Sequence, residues 1–187
     1  MPRAPRIQVP GGIYHVTAKG CAERSIYRGD ADRASFEAIL SQVIEKHVWS
    51  CSSFCLMSTH YDLLVTTPFG DLAAGMQRLN GLYAQTFNKR HGASGHLFHG
   101  RYHAEFIQTD SHLLEVTRYI ALNPVRAGLC RRPGDWPWST FAETIGARSP
   151  RPFVASEVLL RLFAEDSDLA RSRFQAFVEG SPPRGSS

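Results

Sequence analysis

Residues 48–66 read VWSCSSFCLMSTHYDLLVT. Two β-rich runs, Val48 to Met57 and His60 to Thr66, flank a tight Ser58-Thr59 turn, which predicts an antiparallel hairpin. Upstream, Phe36, Ile39, Leu40, Val43 and Ile44 recur at helical spacing, so a helix opens at Asp30 and ends near His47. Before it, Ile13 to Thr17 (IYHVT) reads as a strand behind the turn signal Pro10-Gly11-Gly12. Downstream, Asp71 is placed to cap a long helix carrying Leu72, Met76, Leu79, Tyr83 and Phe87. A glycine- and histidine-rich loop, Gly92 to Gly100, leads into a fourth strand, Arg101 to Gln108. Asp110 or Ser111 then caps a helix to about Leu122, with Pro124 as its stop. The order is β-α-β-β-α-β followed by α. It predicts an α+β, ferredoxin-like antiparallel sheet with helices on one face.

The 187 residues suit one domain with a short appendage. Residues 1–145 form the expected main domain. Residues 146–180 form a linker and a C-terminal helix, roughly Ser156 to Val178 with a polar break near Asp166, and 181–187 a disordered tail. Hydrophobic residues at 43% and charged residues at 20% are globular values and argue against wholesale disorder. No apolar run is long enough to cross a bilayer and no secretory signal is readable, so the expected location is the cytoplasm, with no membrane partner. Cys21, Cys51, Cys55 and Cys130 offer no C-x2-C pair, and reduced thiols packed as small apolar groups are expected.

Charge placement says more than the net +4. From Leu72 to Ala104 there is no acidic residue, while Arg78, Lys89, Arg90, Arg101 and four histidines are present. From Val116 to Gly134 acids are again absent, beside Arg118 and Arg126. Such stretches attract phosphates, and interleaved aromatics can stack on unpaired bases. Tyr83 and Phe87, however, lie on the apolar stripe of their helix and read as core.

His60 and Asp62 are two apart in a strand, so both side chains face one way. An imidazole beside a carboxylate can bind a divalent ion, or simply form a hydrogen-bonded pair. Tyr119 and Asn123 are one helical turn apart on a face distinct from the apolar stripe Leu113, Val116 and Ile120. Asn123 can contribute a carbonyl oxygen to an ion, or serve only to end a helix before Pro124.

The segment Cys55-Leu56-Met57-Ser58-Thr59-His60-Tyr61-Asp62-Leu63-Leu64 resembles the strand motif of the single-tyrosine transposases with a His–hydrophobe–His core, closest to the REP-associated tyrosine transposases. The resemblance runs from Val9-Pro10-Gly11-Gly12-Ile13-Tyr14-His15-Val16 to Trp136-Pro137-Trp138-Ser139. It includes Arg78 to Asn88, Gly95 to Arg101, and Arg118-Tyr119-Ile120-Ala121-Leu122-Asn123-Pro124-Val125-Arg126-Ala127-Gly128. It implies a ferredoxin-like fold, Mg²⁺ or Mn²⁺, single-stranded or hairpin DNA as partner, and a monomer or homodimer. Carried over by position, Tyr119 is the nucleophile, and His60 and Asn123 are metal ligands. Asp62 stands where the motif has its second histidine. Asp62 can still serve as an oxygen ligand. It also places negative charge where a phosphate must approach.

The resemblance thus implies a DNA endonuclease and strand-transferase working through a 5′-phosphotyrosine. The basic groups Arg78, Lys89, Arg90, Arg101, Arg118 and Arg126 would contact DNA. Two alternatives stand beside it: a hairpin-DNA-binding protein that no longer cuts, and a metal-dependent nuclease in which water attacks.

Overall fold

The computed structural model describes residues 8–180; the expected tail 181–187 lies outside the described residues. Four strands form one antiparallel sheet: β1 (Gly12–Lys19), β2 (Ser50–Leu56), β3 (His60–Thr67) and β4 (His103–Ile107), in the spatial order β2-β3-β1-β4. With α1 (Asp30–His47) and α2 (Leu72–His91) this is the ferredoxin-like βαββαβ arrangement.

Strand alternation divides the sheet into two chemically different faces. Tyr14, Val16, Tyr61, Leu63 and Val65 meet Phe36, Leu40 and Val43 of α1 and Met76, Leu79, Tyr83 and Phe87 of α2 in the main core. The other face carries His60, Asp62 and Leu64. It is covered by α3 (Asp110–Arg126), whose Leu113, Val116 and Ile120 pack on Cys55, Met57, Leu64 and Ile107. The two helices of the βαββαβ unit therefore share one face, and the seventh element takes the opposite one.

Several element ends differ from the sequence expectation. Asp71 precedes α2 but its side chain caps no helix amide; the carboxylate instead accepts from the Trp49 indole at 2.8 Å and pairs with His47. The cap of α3 is Thr109, whose hydroxyl accepts from the His112 amide, not Asp110 or Ser111. Pro124 does not stop α3, which continues to Arg126. The ring is buried, and the missing N–H leaves only the Ile120 carbonyl without its helical donor.

The C-terminal region is helical, as expected, but in shorter pieces: α4 (Phe141–Thr144), α5 (Glu157–Leu160) and α6 (Ser167–Glu179). Asp166 accepts from the Leu169 amide and caps α6, which explains the break. A third cluster joins Ala121 and Leu122 of α3 to Phe141, Leu160, Phe174 and Val178. The segment 147–152 is not a loose connection. Arg148 and Arg151 both pair with the buried Glu143, and Arg151 also reaches Glu37 of α1.

Close packing at the α1–β2 corner makes a test. A Cβ added to Gly75 of α2 would lie 2.1 Å from the Trp49 ring, which its bond to Asp71 holds in place. Gly75→Ala should destabilise the fold by about 1–3 kcal/mol, read as a lower urea midpoint; an unchanged midpoint would show that the corner yields freely.

Candidate active site

The register of the sheet builds the site. Thr17 of β1 lies opposite Asp62 of β3, and Lys19 lies opposite His60. His15, Thr17 and Lys19 therefore face the same side as His60 and Asp62. Helix α3 crosses above them, held down by its apolar stripe.

Asp62 is 1% exposed. Its Oδ1 accepts from the Thr17 hydroxyl at 2.7 Å and from His15 Nε2 at 3.0 Å. Its Oδ2 accepts from the Asn123 amide nitrogen at 2.7 Å and lies 3.6 Å from His60 Nε2. Asn123 Nδ2 is also 3.2 Å from His60 Nε2. Burial alone would raise the Asp62 pKa. The hydrogen bonds from His15 and Thr17, with the fields of His15 and His60, outweigh it and hold the carboxyl below its ordinary value. His60 moves down, because burial disfavours the imidazolium more than Asp62 favours it. It is therefore neutral at pH 7, with a lone pair to give.

Tyr119 is 42% exposed and stands one turn before Asn123. Its ring meets the His15 ring edge-on at 5.9 Å, and the Arg126 guanidinium lies 5.2 Å from its centre. Partial burial, then the Asp62 charge, raise the phenol pKa against the opposing pull of Arg126. Tyr119 opens onto a depression of about 340 Å³ lined by Thr17, Lys19, His99, Arg101 and His103. The preceding loop reaches it by pairing with the end of β1: the His99 amide bonds the Lys19 carbonyl, and Gly20 bridges Phe98.

The structure thus brings His60, Asp62, Asn123, Tyr119, Arg101 and Arg126 to one side of the sheet. The other basic residues expected to contact DNA lie apart from this cluster, Arg118 on α3 and the rest on α2. Arg90 is bound to Asp32 at 2.7 Å and to Ser35, so its guanidinium ties α2 to α1. Arg78 and Lys89 are exposed on α2, across the sheet from Asp62. Arg118 lies over the Phe177 ring of α6. Tyr83 is fully buried and its hydroxyl donates to the Ile26 carbonyl, so it cannot act on a substrate. Burial and the Asp62 charge push the Cys55 thiol well up, which keeps that sulfur protonated.

His15, Thr17 and Lys19 are the site residues that sequence reasoning missed. The available signal was the period-two alternation of IYHVTAK, residues 13–19, which puts them on one face, but nothing local gave the register against Asp62.

The donor set can be tested against a divalent ion. Among the described residues, no three His, Cys, Asp or Glu side chains form a metal-binding group, so an ion would need the Asn123 amide. His60 Nε2, Asp62 Oδ2 and the amide nitrogen form a triangle with edges of 2.7, 3.2 and 3.6 Å. Adjacent donors around a six-coordinate Mg²⁺ or Mn²⁺ at about 2.1 Å lie about 3 Å apart. A half-turn of the Asn123 amide exchanges its nitrogen for oxygen and gives one imidazole and two oxygens. The residues fit such an ion once that amide has turned.

The family profile described as "Transposase IS200 like" matches residues 8–123. The chain belongs to this family. Its fold is similar to that of a REP-associated tyrosine transposase solved bound to a REP hairpin, at 20% identity and a TM-score of 0.67, covering 83% of this chain and 91% of that one. A candidate transposase from Deinococcus radiodurans R1 is a weaker likeness, at 16% identity and a TM-score of 0.45, covering 64% and 95% of the two chains. No curated protein sequence matches. Among the described residues of this IS200-like family member, no helix is long and apolar enough to cross a membrane.

The Asp62 network predicts an acid-sensitive stability. A carboxyl whose folded pKa is depressed stabilises the protein above its unfolded value, and that contribution is lost as pH falls through the folded value. The stability difference between wild type and Asp62→Asn should therefore be full above about pH 5 and close below about pH 4. Urea unfolding at a series of pH values reads it; a gap that widens on acidification would contradict the ion network.

Proposed function

We propose that the protein nicks single-stranded DNA beside a hairpin and transfers the strand, through a covalent 5′-phosphotyrosine at Tyr119. The observation that carries this is the placement of Tyr119 at the lip of a cationic depression, one helical turn from an amide, an imidazole and a carboxylate that converge. Family membership supports the reaction class. The hairpin on the solved relative supports the substrate.

Lys19 and Arg101 bind the phosphates flanking the scissile bond and orient it toward the phenol. Tyr119 Oη attacks phosphorus in line, the P–O3′ bond breaks, and the strand leaves with a free 3′ hydroxyl. The phenolic proton passes to water in the open depression, and the leaving oxygen takes one up. A 3′ hydroxyl from another strand can reverse the step, since the phosphodiester energy is kept in the tyrosyl bond. His60, Asp62 and Asn123 would hold Mg²⁺ or Mn²⁺, which when bound polarises the scissile phosphate. Arg126, stacked on the Tyr119 ring, restrains its swing and favours the phenolate.

A second reading has one specific observation behind it. Both Asp62 oxygens already have protein donors, so the site is self-satisfied without an ion. A protein that grips hairpin DNA and does not cut it would keep this network unchanged.

The two readings separate on a denaturing gel. With hairpin DNA carrying a single-stranded flank and Mn²⁺, wild type should form a protein–DNA adduct, and Tyr119→Phe none. Asp62→Ala should lower the rate by at least about 100-fold, the scale of a lost transition-state electrostatic contact. DNA binding with no adduct under any divalent ion supports the second reading. Because the phenol pKa lies above its ordinary value of about 10, the wild-type rate should rise with pH from about 6 to about 9 without levelling. A plateau below about pH 8 would assign the limiting proton to another group.

The basic residues make a separate test. Arg101→Ala should reduce the salt dependence of DNA binding by about one phosphate contact. Arg90→Ala should leave DNA affinity intact and lower thermal stability, because it breaks the Asp32 pair. Equal effects on DNA affinity would remove the distinction between the two faces of the sheet.

A further inference from the structure

The geometry points to His15 as a positioning residue for both halves of the active site: it aims the Asp62 carboxylate and sets the ring of Tyr119. This rests on the metal-assisted reading of the site. His15 lies on β1, diagonal to Asp62 across the β1–β3 pair, and its side chain is 11% exposed.

The first half concerns the carboxylate. His15 Nε2–H and the Thr17 hydroxyl both donate to the same oxygen, Asp62 Oδ1, at 3.0 and 2.7 Å. Two donors on one oxygen fix the carboxylate rotation and leave Oδ2 as the atom turned toward His60 and Asn123. A pinned carboxylate offers one oxygen, monodentate, in a fixed direction. Losing an outer group that orients a ligand in this way costs about 10- to 100-fold in metal affinity. A histidine at position 62 would present no such pair of oxygens, so the support from β1 suits the aspartate found here.

The second half concerns the nucleophile. The His15 ring packs edge-on against Tyr119 at 5.9 Å while Arg126 lies against the Tyr119 ring at 5.2 Å. The phenol is thus held between an imidazole from the sheet and a guanidinium from its own helix. A half-exposed tyrosine without the sheet contact could swing about χ1 and lose its aim.

Two substitutions divide these roles. His15→Phe keeps a ring against Tyr119 and removes the donor to Asp62. His15→Gln keeps an N–H at comparable reach and removes the ring. Mn²⁺ binding is read by the paramagnetic resonance of free Mn²⁺, on the full chain without DNA. Adduct formation is then timed with hairpin DNA at saturating Mn²⁺.

His15→Phe should weaken Mn²⁺ binding about 10- to 100-fold, and its adduct rate should return toward the wild-type value at saturation. His15→Gln should bind Mn²⁺ within about threefold of wild type yet form adduct about tenfold more slowly even at saturation. This crossed pattern is the expected result. If both variants match wild type in both measurements, the assignment is wrong. If both lose both in parallel with a lowered melting temperature, His15 merely packs the sheet, and the assignment is again wrong. A wild type that takes up no Mn²⁺ contradicts the metal-assisted reading itself and removes this assignment with it.

Discussion

The arrangement of the reactive face depends on one buried negative charge. An ionised carboxylate taken from water into a protein interior loses several kcal/mol of hydration, which only well-placed donors and charges offset. Asp62 obtains donors from two other elements: His15 and Thr17 on β1, and Asn123 on α3. The consequence is mechanical as well as electrostatic. The Asn123 bond ties the last turn of α3 to the sheet, and Tyr119 sits one turn earlier on the same helix. The charge that can take part in chemistry thereby also sets where the nucleophile stands.

Apolar packing supplies what the charge cannot. Leu113, Val116 and Ile120 seat α3 on the second face of the sheet, and the C-terminal helices cover its far side through Ala121 and Leu122. The extension also closes the exposed edge of β2. The Leu56 amide bonds the Trp138 carbonyl, the Thr140 amide bonds the Phe54 carbonyl, and the Ala155 amide bonds the Cys51 carbonyl. An edge strand left bare is a template for unwanted pairing, so this cover has a use beyond stabilising α3. Glu143, buried between Arg148 and Arg151 with Glu37 on the far side, holds the extension against α1.

Much of this was legible in the sequence because it is periodic. The alternation in HYDLLV separates His60 and Asp62 from Tyr61, Leu63 and Val65, and the structure sends the two sets to opposite faces. The helical spacing of Tyr119 and Asn123 likewise separates them from Leu113, Val116 and Ile120. What was not legible depends on contacts between distant segments. His15 and Thr17 join the site through strand register, which no local pattern encodes. Arg90 reads as a cation available to phosphate until α1 brings Asp32 against it. Pro124 reads as a stop because its local penalty is visible, whereas the burial that offsets it comes from tertiary packing. Asp71 reads as a cap, yet Trp49 and His47 claim its carboxylate first.

The most direct test of the account is the chemical identity of the covalent product. After reaction with hairpin DNA and Mn²⁺, nuclease digestion and proteolysis, mass spectrometry can locate any nucleotide left on the protein. The expected product is a 5′-nucleotide phosphodiester on the peptide containing Tyr119, at its phenolic oxygen. A nucleotide on another residue would contradict it, as would DNA cleaved with no nucleotide left on the protein.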